Sequence, residues 1–189
     1  FILEINGEYI MTSLKFYKTF PTIELPKFAT EQSACFDLSF QNLGKFDYTG
    51  YNAQNKKFNR PFKDGRLYIN AGDRVMVPTG LILDIPKGYS VRVYARSGLS
   101  LKQGLVLVNA EGIIDSDYIQ ELFVLMTNLS TTGQWISPGD RVAQAELIKQ
   151  EIYKIEETTT APVVKTDRKG GMGSTGVTIN VETITPQKN

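Results

Sequence analysis

Close punctuation by glycine and proline turns constrains this chain more than any other feature. Leu67-Tyr-Ile69 runs into Asn70-Ala-Gly-Asp73. Val75 to Ile85 is broken by Pro78-Thr-Gly80 and followed by Pro86-Lys-Gly88. Thr131-Thr-Gly-Gln134 and Ser137-Pro-Gly-Asp140 bracket Trp135 and Ile136. Gly supplies backbone angles other residues avoid, and Pro cannot donate to a sheet ladder, so such clusters end strands rather than interrupt helices. The runs between them are rich in Val, Ile, Leu, Tyr and Phe, which suit a pleated, half-buried surface. Tyr89 to Ala95 alternates, with Tyr89, Val91, Val93 and Ala95 on one face and Ser90, Arg92 and Tyr94 on the other, as a half-buried strand does. The expected architecture is all-β, a sandwich or barrel, with at most one or two short helices. The best helix candidate is Arg96 to Gly104, with Ser97 as N-cap and Gly104 as stop.

Further strands are expected at an edge within residues 12–29, at Ser33 to Leu38, at Ile119 to Leu129, and from Arg141 to Tyr153. Gln144 sits inside the last of these. A polar amide there needs a partner, as a site residue or as a satisfied core group. Residues 41–66 lack a clean period but carry Phe46, Tyr48, Tyr51, Phe58 and Phe62. Disordered segments usually lack aromatics, so this stretch reads as an ordered loop or an inserted hairpin, packed on the core or facing a protein partner.

The chain of 189 residues is 41% apolar, enough to bury a core as one domain. A net charge of +1 argues against a nucleic-acid coat and against a polybasic membrane segment. There is no run of eighteen apolar residues. The one cysteine, Cys35, cannot form an internal disulfide, reads as a small buried residue, and fits a reducing, cytoplasmic compartment. Histidine is absent. That removes His-based triads, His–zinc sites and imidazole general bases, and leaves Asp, Glu, Lys, Tyr and Ser. Any metal must be oxygen-bound, which points to magnesium.

Asn109-Ala-Glu-Gly-Ile-Ile-Asp-Ser-Asp-Tyr118 carries the chemistry. Leu105 to Val108 leads into it and Leu122 to Leu125 leads out, both as strands. A hairpin here forms a polar-ended pocket on a rigid sheet. It suits a flat, hydrogen-bonding base, with Asp115 placed to activate a water. Gly112 lets the backbone approach a ligand or take a positive φ. Asp-Ser-Asp is also an ordinary turn sequence, since short polar side chains bond their own backbone. Free N–H groups at the start of the 96–104 helix, with the forked donor of Arg96, suit phosphate, and a capped connecting helix would look the same. Asp37 is either a site carboxylate or a turn cap.

Residues 1–10 read as a leader or an expression remnant ahead of Met11. Residues 11–157 are the β domain with its insertion at about 41–66. Residues 158–189 are a Thr/Pro/Val linker and a glycine-rich arm with an extension. Asp167-Arg-Lys-Gly-Gly-Met-Gly-Ser-Thr-Gly176 lacks the Gly-Lys-Ser/Thr of a Walker loop. It reads as a mobile arm whose backbone donors can close over phosphates, or as a plain tail.

Five segments, in order, resemble the trimeric dUTP diphosphatases (dUTPases): Ala34-Cys-Phe-Asp-Leu38, Ala95-Arg-Ser-Gly-Leu-Ser100, Gly112-Ile-Ile-Asp-Ser-Asp-Tyr118, Gly139-Asp-Arg-Val-Ala-Gln144 and Gly170-Gly-Met-Gly-Ser-Thr-Gly176. The likeness covers roughly residues 11–176 without the insertion. It implies a jelly-roll-like fold, a homotrimer with shared active sites, and magnesium-assisted hydrolysis of dUTP to dUMP and pyrophosphate. By the same resemblance Asp115 is the base, Asn109 and Gly112, Ile113 and Ile114 read uracil, and Phe123 adds a backbone contact. Tyr118 lies under the deoxyribose. Arg96, Ser97 and Gly98 hold phosphates, as does Arg168. Asp37 and Gln144 bind magnesium through water. Met172, Gly173, Ser174 and Thr175 close over the nucleotide from the arm. The chain departs from the family pattern at Cys35 (usually Gly), Ala95 (often Pro), Gln120 (Gly), Met172 (an aromatic), and in a spacing after Arg168 that is one residue short. Two rivals remain on sequence alone: a dCTP deaminase-like enzyme of the same fold, and a nucleotide-responsive binding or regulatory module.

Overall fold

In the computed structural model, residues 2–5 and 8–167 are described. The strands are β1 (Ile2–Ile5), β2 (Glu8–Met11), β3 (Lys15–Lys18), β4 (Phe36–Ser39), β5 (Asp47–Tyr51), β6 (Lys57–Pro61), β7 (Leu67–Ile69), β8 (Arg74–Asp84) and β9 (Tyr89–Tyr94). A helix, α1 (Ser97–Gln103), follows, then β10 (Leu105–Leu107), β11 (Gly112–Ile114), β12 (Glu121–Asn128), β13 (Gln134–Ile136) and β14 (Arg141–Lys149). The all-β reading with one short helix holds. No helix among the described residues is long and apolar enough to cross a membrane.

Two sheets make the body. One runs β10-β12-β8-β5-β6, with β3 also on β8; the other runs β11-β9-β14-β4. Every pairing is antiparallel. Alternation along the strands sends one set of side chains inward. Val75 and Val77 of β8, Leu122, Val124 and Met126 of β12, Val91 and Val93 of β9, and Leu38 of β4 join one buried cluster fed by both sheets. Each such side chain contributes about 1.5–3 kcal/mol on burial. β13 pairs with β7, and β1 pairs with β2.

The structure corrects the sequence reading at four places. β8 is not broken at Pro78-Thr-Gly80. It runs through eleven residues. Pro78 lies opposite Phe123, where the register of β8 against β12 slips, so its missing N–H falls at an irregularity and not in a regular ladder. Gly80 there has φ +68°, and a Cβ on it would lie 2.3 Å from Ile23 Cδ1.

Second, the N-cap of α1 is Arg96, extended at φ −96° and ψ 127° and without a side-chain cap, while Ser97 is already helical. Ser100, not Ser97, bonds back to the Arg96 carbonyl, at 3.1 Å. Gly104 ends the helix in the left-handed conformation as expected.

Third, Arg141 to Tyr153 is strand only to Lys149. The body ends at Ile152, and residues 153–167 are exposed, without helix or strand. Arg168, Met172, Gly173, Ser174 and Thr175 lie outside the described residues.

Fourth, Cys35 is half-buried rather than buried. Burial, then the carboxylates of Glu146 and Asp37, push its thiol up and away from thiolate chemistry.

Of the two readings of residues 41–66, the structure takes the hairpin. β5 pairs with β6 and then with β8, extending the larger sheet by two strands. Tyr48 is buried and donates its hydroxyl to the Tyr68 carbonyl at 2.6 Å. Phe46, by contrast, is 91% exposed.

Candidate active site

The stretch from Asn109 to Tyr118 is more than a hairpin loop. β10 and β12 do pair as hairpin arms, Leu105 to Asn128 through Leu107 to Met126. Between them the chain crosses to the other sheet and adds β11 to its edge, with Gly112 opposite Val93 and Ile114 opposite Val91. The β-branched pair Ile113-Ile114 gives this segment its strand character. Gly112 eases close approach: a Cβ there would lie 3.0 Å from Val93 Cβ, a tight contact. The positive φ in this stretch belongs to Ala110, at +61°.

Because β11 pairs on one side only, its other edge presents N–H and C=O groups that the sheet does not use. The β11 residues Gly112, Ile113 and Ile114 help line a cavity of about 260 Å³, together with Asn109, Asp115, Tyr118 and Phe123, with Met76, Val93 and Leu107 among its apolar walls. Seven residues singled out from sequence thus meet in one cavity. Asp115 follows directly on β11 and is exposed. Its carbonyl accepts the Tyr118 N–H at 3.1 Å, closing a turn. The Tyr118 hydroxyl donates to the Glu121 carbonyl at 3.0 Å.

A second group forms elsewhere on the smaller sheet. Asp37 on β4 lies opposite Gln144 on β14, and Gln144 lies opposite Tyr94 on β9. Arg96 Nε meets Asp37 Oδ1 at 2.9 Å, and Arg141 Nη1 meets Asp37 Oδ2 at 2.9 Å. Arg96 Nη1 also donates to the Arg141 carbonyl at 3.1 Å. Asp37 is therefore a bridge between two guanidiniums and not a turn cap. Gln144 finds its partner by donating Nε2 to the Ala95 carbonyl at 3.0 Å. Ser97 and Gly98 are exposed beside this group at the start of α1. Tyr94 donates to Glu146 at 2.9 Å, and burial together with that carboxylate pushes its phenol up to about 12.

Arg141, which joins this group, was not anticipated from the sequence. Arg141 escapes because residues three apart on a regular strand face opposite ways, so it should turn away from Gln144. The register of β14 against β4 shifts between Arg141 and Ala143, and that bulge brings Arg141 to Asp37. Among the described residues, the lining of the first cavity contains none of Asp37, Arg96, Arg141 or Gln144.

A family model described as dUTPase matches residues 64–176, beginning at the end of the insertion. A deoxyuridine 5′-triphosphate nucleotidohydrolase of Finegoldia magna is 39% identical over 118 residues, which is 62% of this chain and 81% of the relative. One of the same name from Brucella melitensis biotype 2 is 45% identical over 115 residues, 60% of this chain and 72% of the relative. Among solved structures, a dUTPase from Streptococcus mutans covers 76% of this chain and 99% of its own at 25% identity, with a TM-score of 0.57. A Staphylococcus bacteriophage 80alpha dUTPase variant with dUpNHpp covers 88% of this chain and 100% of its own at 17% identity, with a TM-score of 0.67, and so shares the fold.

Proposed function

The chain belongs to the dUTPase family, and from that premise we propose that deoxyuridine sits in the cavity beside β11 while the Asp37–Arg96–Arg141–Gln144 group handles phosphates. The activity is hydrolysis of dUTP. One observation carries the assignment of the site: Asn109, Gly112 to Ile114, Asp115, Tyr118 and Phe123 line one cavity.

Uracil presents an N–H between two carbonyl oxygens. The unpaired edge of β11 and the Asn109 amide match that alternation, and Phe123 adds a backbone contact. Cytosine reverses part of the pattern and leaves site groups unpaired, which is worth about 10⁴-fold or more in discrimination. Tyr118 lies under the sugar and leaves no room for a 2′-hydroxyl. Asp115 orients a water and takes its proton as the oxygen attacks the α-phosphorus. That oxygen bonds to phosphorus, the bridging P–O bond breaks, and dUMP and pyrophosphate leave. A positioned base contributes about 10²–10⁴-fold. The rest is charge placement, from Arg96 and from donors at Ser97 and Gly98.

The donor set bears on magnesium. No group of three acidic, His or Cys side chains that could hold a metal occurs among the described residues. Asp37 lies between two guanidiniums, an environment that attracts phosphate and disfavours a bare cation. These residues fit an ion that arrives on the triphosphate as part of the substrate, with Asp37 and Gln144 reaching its water shell. Bound there, it neutralises phosphate charge.

The separation of base pocket and phosphate group within one chain supports a homotrimer whose sites draw on neighbouring subunits. The arm with Arg168, Met172 and Gly173 to Thr175 then closes over the nucleotide.

The test is pyrophosphate release from the four deoxynucleoside triphosphates and UTP, with and without chelator. We expect dUTP alone to turn over well, and only with magnesium. Asp115→Asn should lose about 10²-fold or more in kcat and keep its affinity for dUpNHpp by calorimetry. Normal turnover in that variant removes Asp115 from its role. Ammonia release from dCTP would move the protein to deaminase chemistry.

A further inference from the structure

Glu121 begins β12 where its pairing with β8 slips. Phe123 faces Pro78, but Glu121 faces Ile82, so Thr79, Gly80 and Leu81 together lie across from Leu122. The slip takes backbone groups out of the ladder, and side chains take them up. The Thr79 hydroxyl donates to the Leu122 carbonyl at 2.7 Å. The Gly80 N–H donates to Glu121 Oε1 at 2.9 Å. The other carboxylate oxygen receives Lys45 Nζ at 2.7 Å, with the side chains of Lys45 and Glu121 only 29% and 12% exposed. Lys45 Nζ also stands 5.7 Å from the centroid of the Phe123 ring. On its backbone side, Glu121 holds the Tyr118 hydroxyl at 3.0 Å. Tyr118 and Phe123 both line the base cavity.

Lys45 belongs to the inserted segment, outside the residues 64–176 that match the family. A carboxylate this enclosed needs its cation. Without Lys45, Glu121 turns toward water, releases the Gly80 N–H and frees the bulge. A displacement of about 1 Å next to a reacting substrate is enough to matter. We propose that Lys45 is a positioning residue for sugar discrimination, fixing Glu121 and through it the Tyr118 phenol and the Phe123 wall. This rests on the reading of Tyr118 as the floor under the deoxyribose.

The test compares kcat/KM for dUTP and for UTP in the full chain and in Lys45→Met, Lys45→Arg, Tyr118→Phe, Tyr118→Ala and the Lys45→Met/Tyr118→Phe double variant. Both substrates report on the same active enzyme, so their ratio does not depend on the fraction folded. The dUTP/UTP ratio should fall about tenfold in Lys45→Met. Lys45→Arg should restore it to within about twofold, because it keeps the cation. The double variant should fall less than the product of the two single effects, since Lys45 acts largely through the Glu121 carbonyl that holds the Tyr118 hydroxyl. An unchanged ratio in Lys45→Met beside a lowered one in Tyr118→Ala overturns the role of Lys45 and leaves the site reading standing. An unchanged ratio in Tyr118→Ala overturns the reading of Tyr118 and the proposal with it. Singles whose effects multiply in the double variant show two independent routes and also overturn it.

Discussion

Ala110 holds the backbone angle that a glycine would hold at less cost. Its φ of +61° places an L side chain in the left-handed region, at roughly 1–2 kcal/mol. Gly112, two residues on, instead spares a tight Cβ contact with Val93. Part of the relief in Ala110→Gly is offset by the entropy glycine loses on folding. The variant should therefore gain about 0.5–1 kcal/mol in urea unfolding. A loss of stability would show that Ala110 packs usefully in spite of its angle. Tyr94 gives a pH signature. Its phenol ordinarily titrates near 10 and is pushed up to about 12, first by burial and then by its bond to Glu146. A raised folded-state value favours the fold while the phenol keeps its proton. The contribution is thus full below about pH 10 and is lost as pH rises from about 10 to about 12. Tyr94→Phe should lower the thermal midpoint near neutrality, where the contribution is full, and flatten its fall with pH across that alkaline window.

At the scale of elements, the insertion is tied down by charge as well as by packing. Arg60 on β6 pairs with Asp73, which is 2% exposed, and its guanidinium stacks 3.7 Å from the Phe58 ring centroid. Asn70 also donates to Asp73, at 2.9 Å from its side chain. Breaking a fully buried pair costs about 3–5 kcal/mol. Arg60 is partly exposed and Asp73 keeps its Asn70 donors, so Arg60→Ala should cost less, about 2–3 kcal/mol in denaturant midpoint analysis. A change within about 0.5 kcal/mol would mean that the hairpin is held by Tyr48 and Phe58 alone. The outer edge of β6 carries Lys57 and Pro61, residues that discourage pairing with another chain's edge. That this segment is ordered was readable from its aromatics. Its joining the larger sheet through β8 was not, because only Gly50 and Tyr51 pair there, with Val75 and Arg74.

For the whole molecule, the proposed site is split between two places on one chain. The residues proposed to hold the base line the cavity at β11 and β12, and Asp37, Arg96, Arg141 and Gln144 gather on β4, β14 and the start of α1. Residues 153–167 are exposed, with Tyr153, Ile155, Val163 and Val164 all more than three-quarters so. Such a segment contributes no core of its own. Deleting residues 167–189 should leave the oligomer mass by light scattering unchanged and reduce dUTP hydrolysis by about 10²-fold. Loss of the oligomer on that deletion would make the tail structural and not a closing arm.

What the sequence by itself determined is local. Turn residues and β-branched runs marked most strands. The absence of histidine narrowed the chemistry to Asp, Glu, Lys, Tyr and Ser. Asn109, Gly112, Asp115 and Tyr118 could be grouped because they sit within ten residues of one another. Tertiary structure alone decided the slips of register and the partners: β11 crossing to the other sheet, the bulge that turns Arg141 toward Asp37, and Lys45 meeting Glu121 across 76 residues. The physical reason is that strand propensity is summed over neighbours in the chain. Register, by contrast, is set by whichever distant side chains satisfy the groups a bulge leaves unpaired.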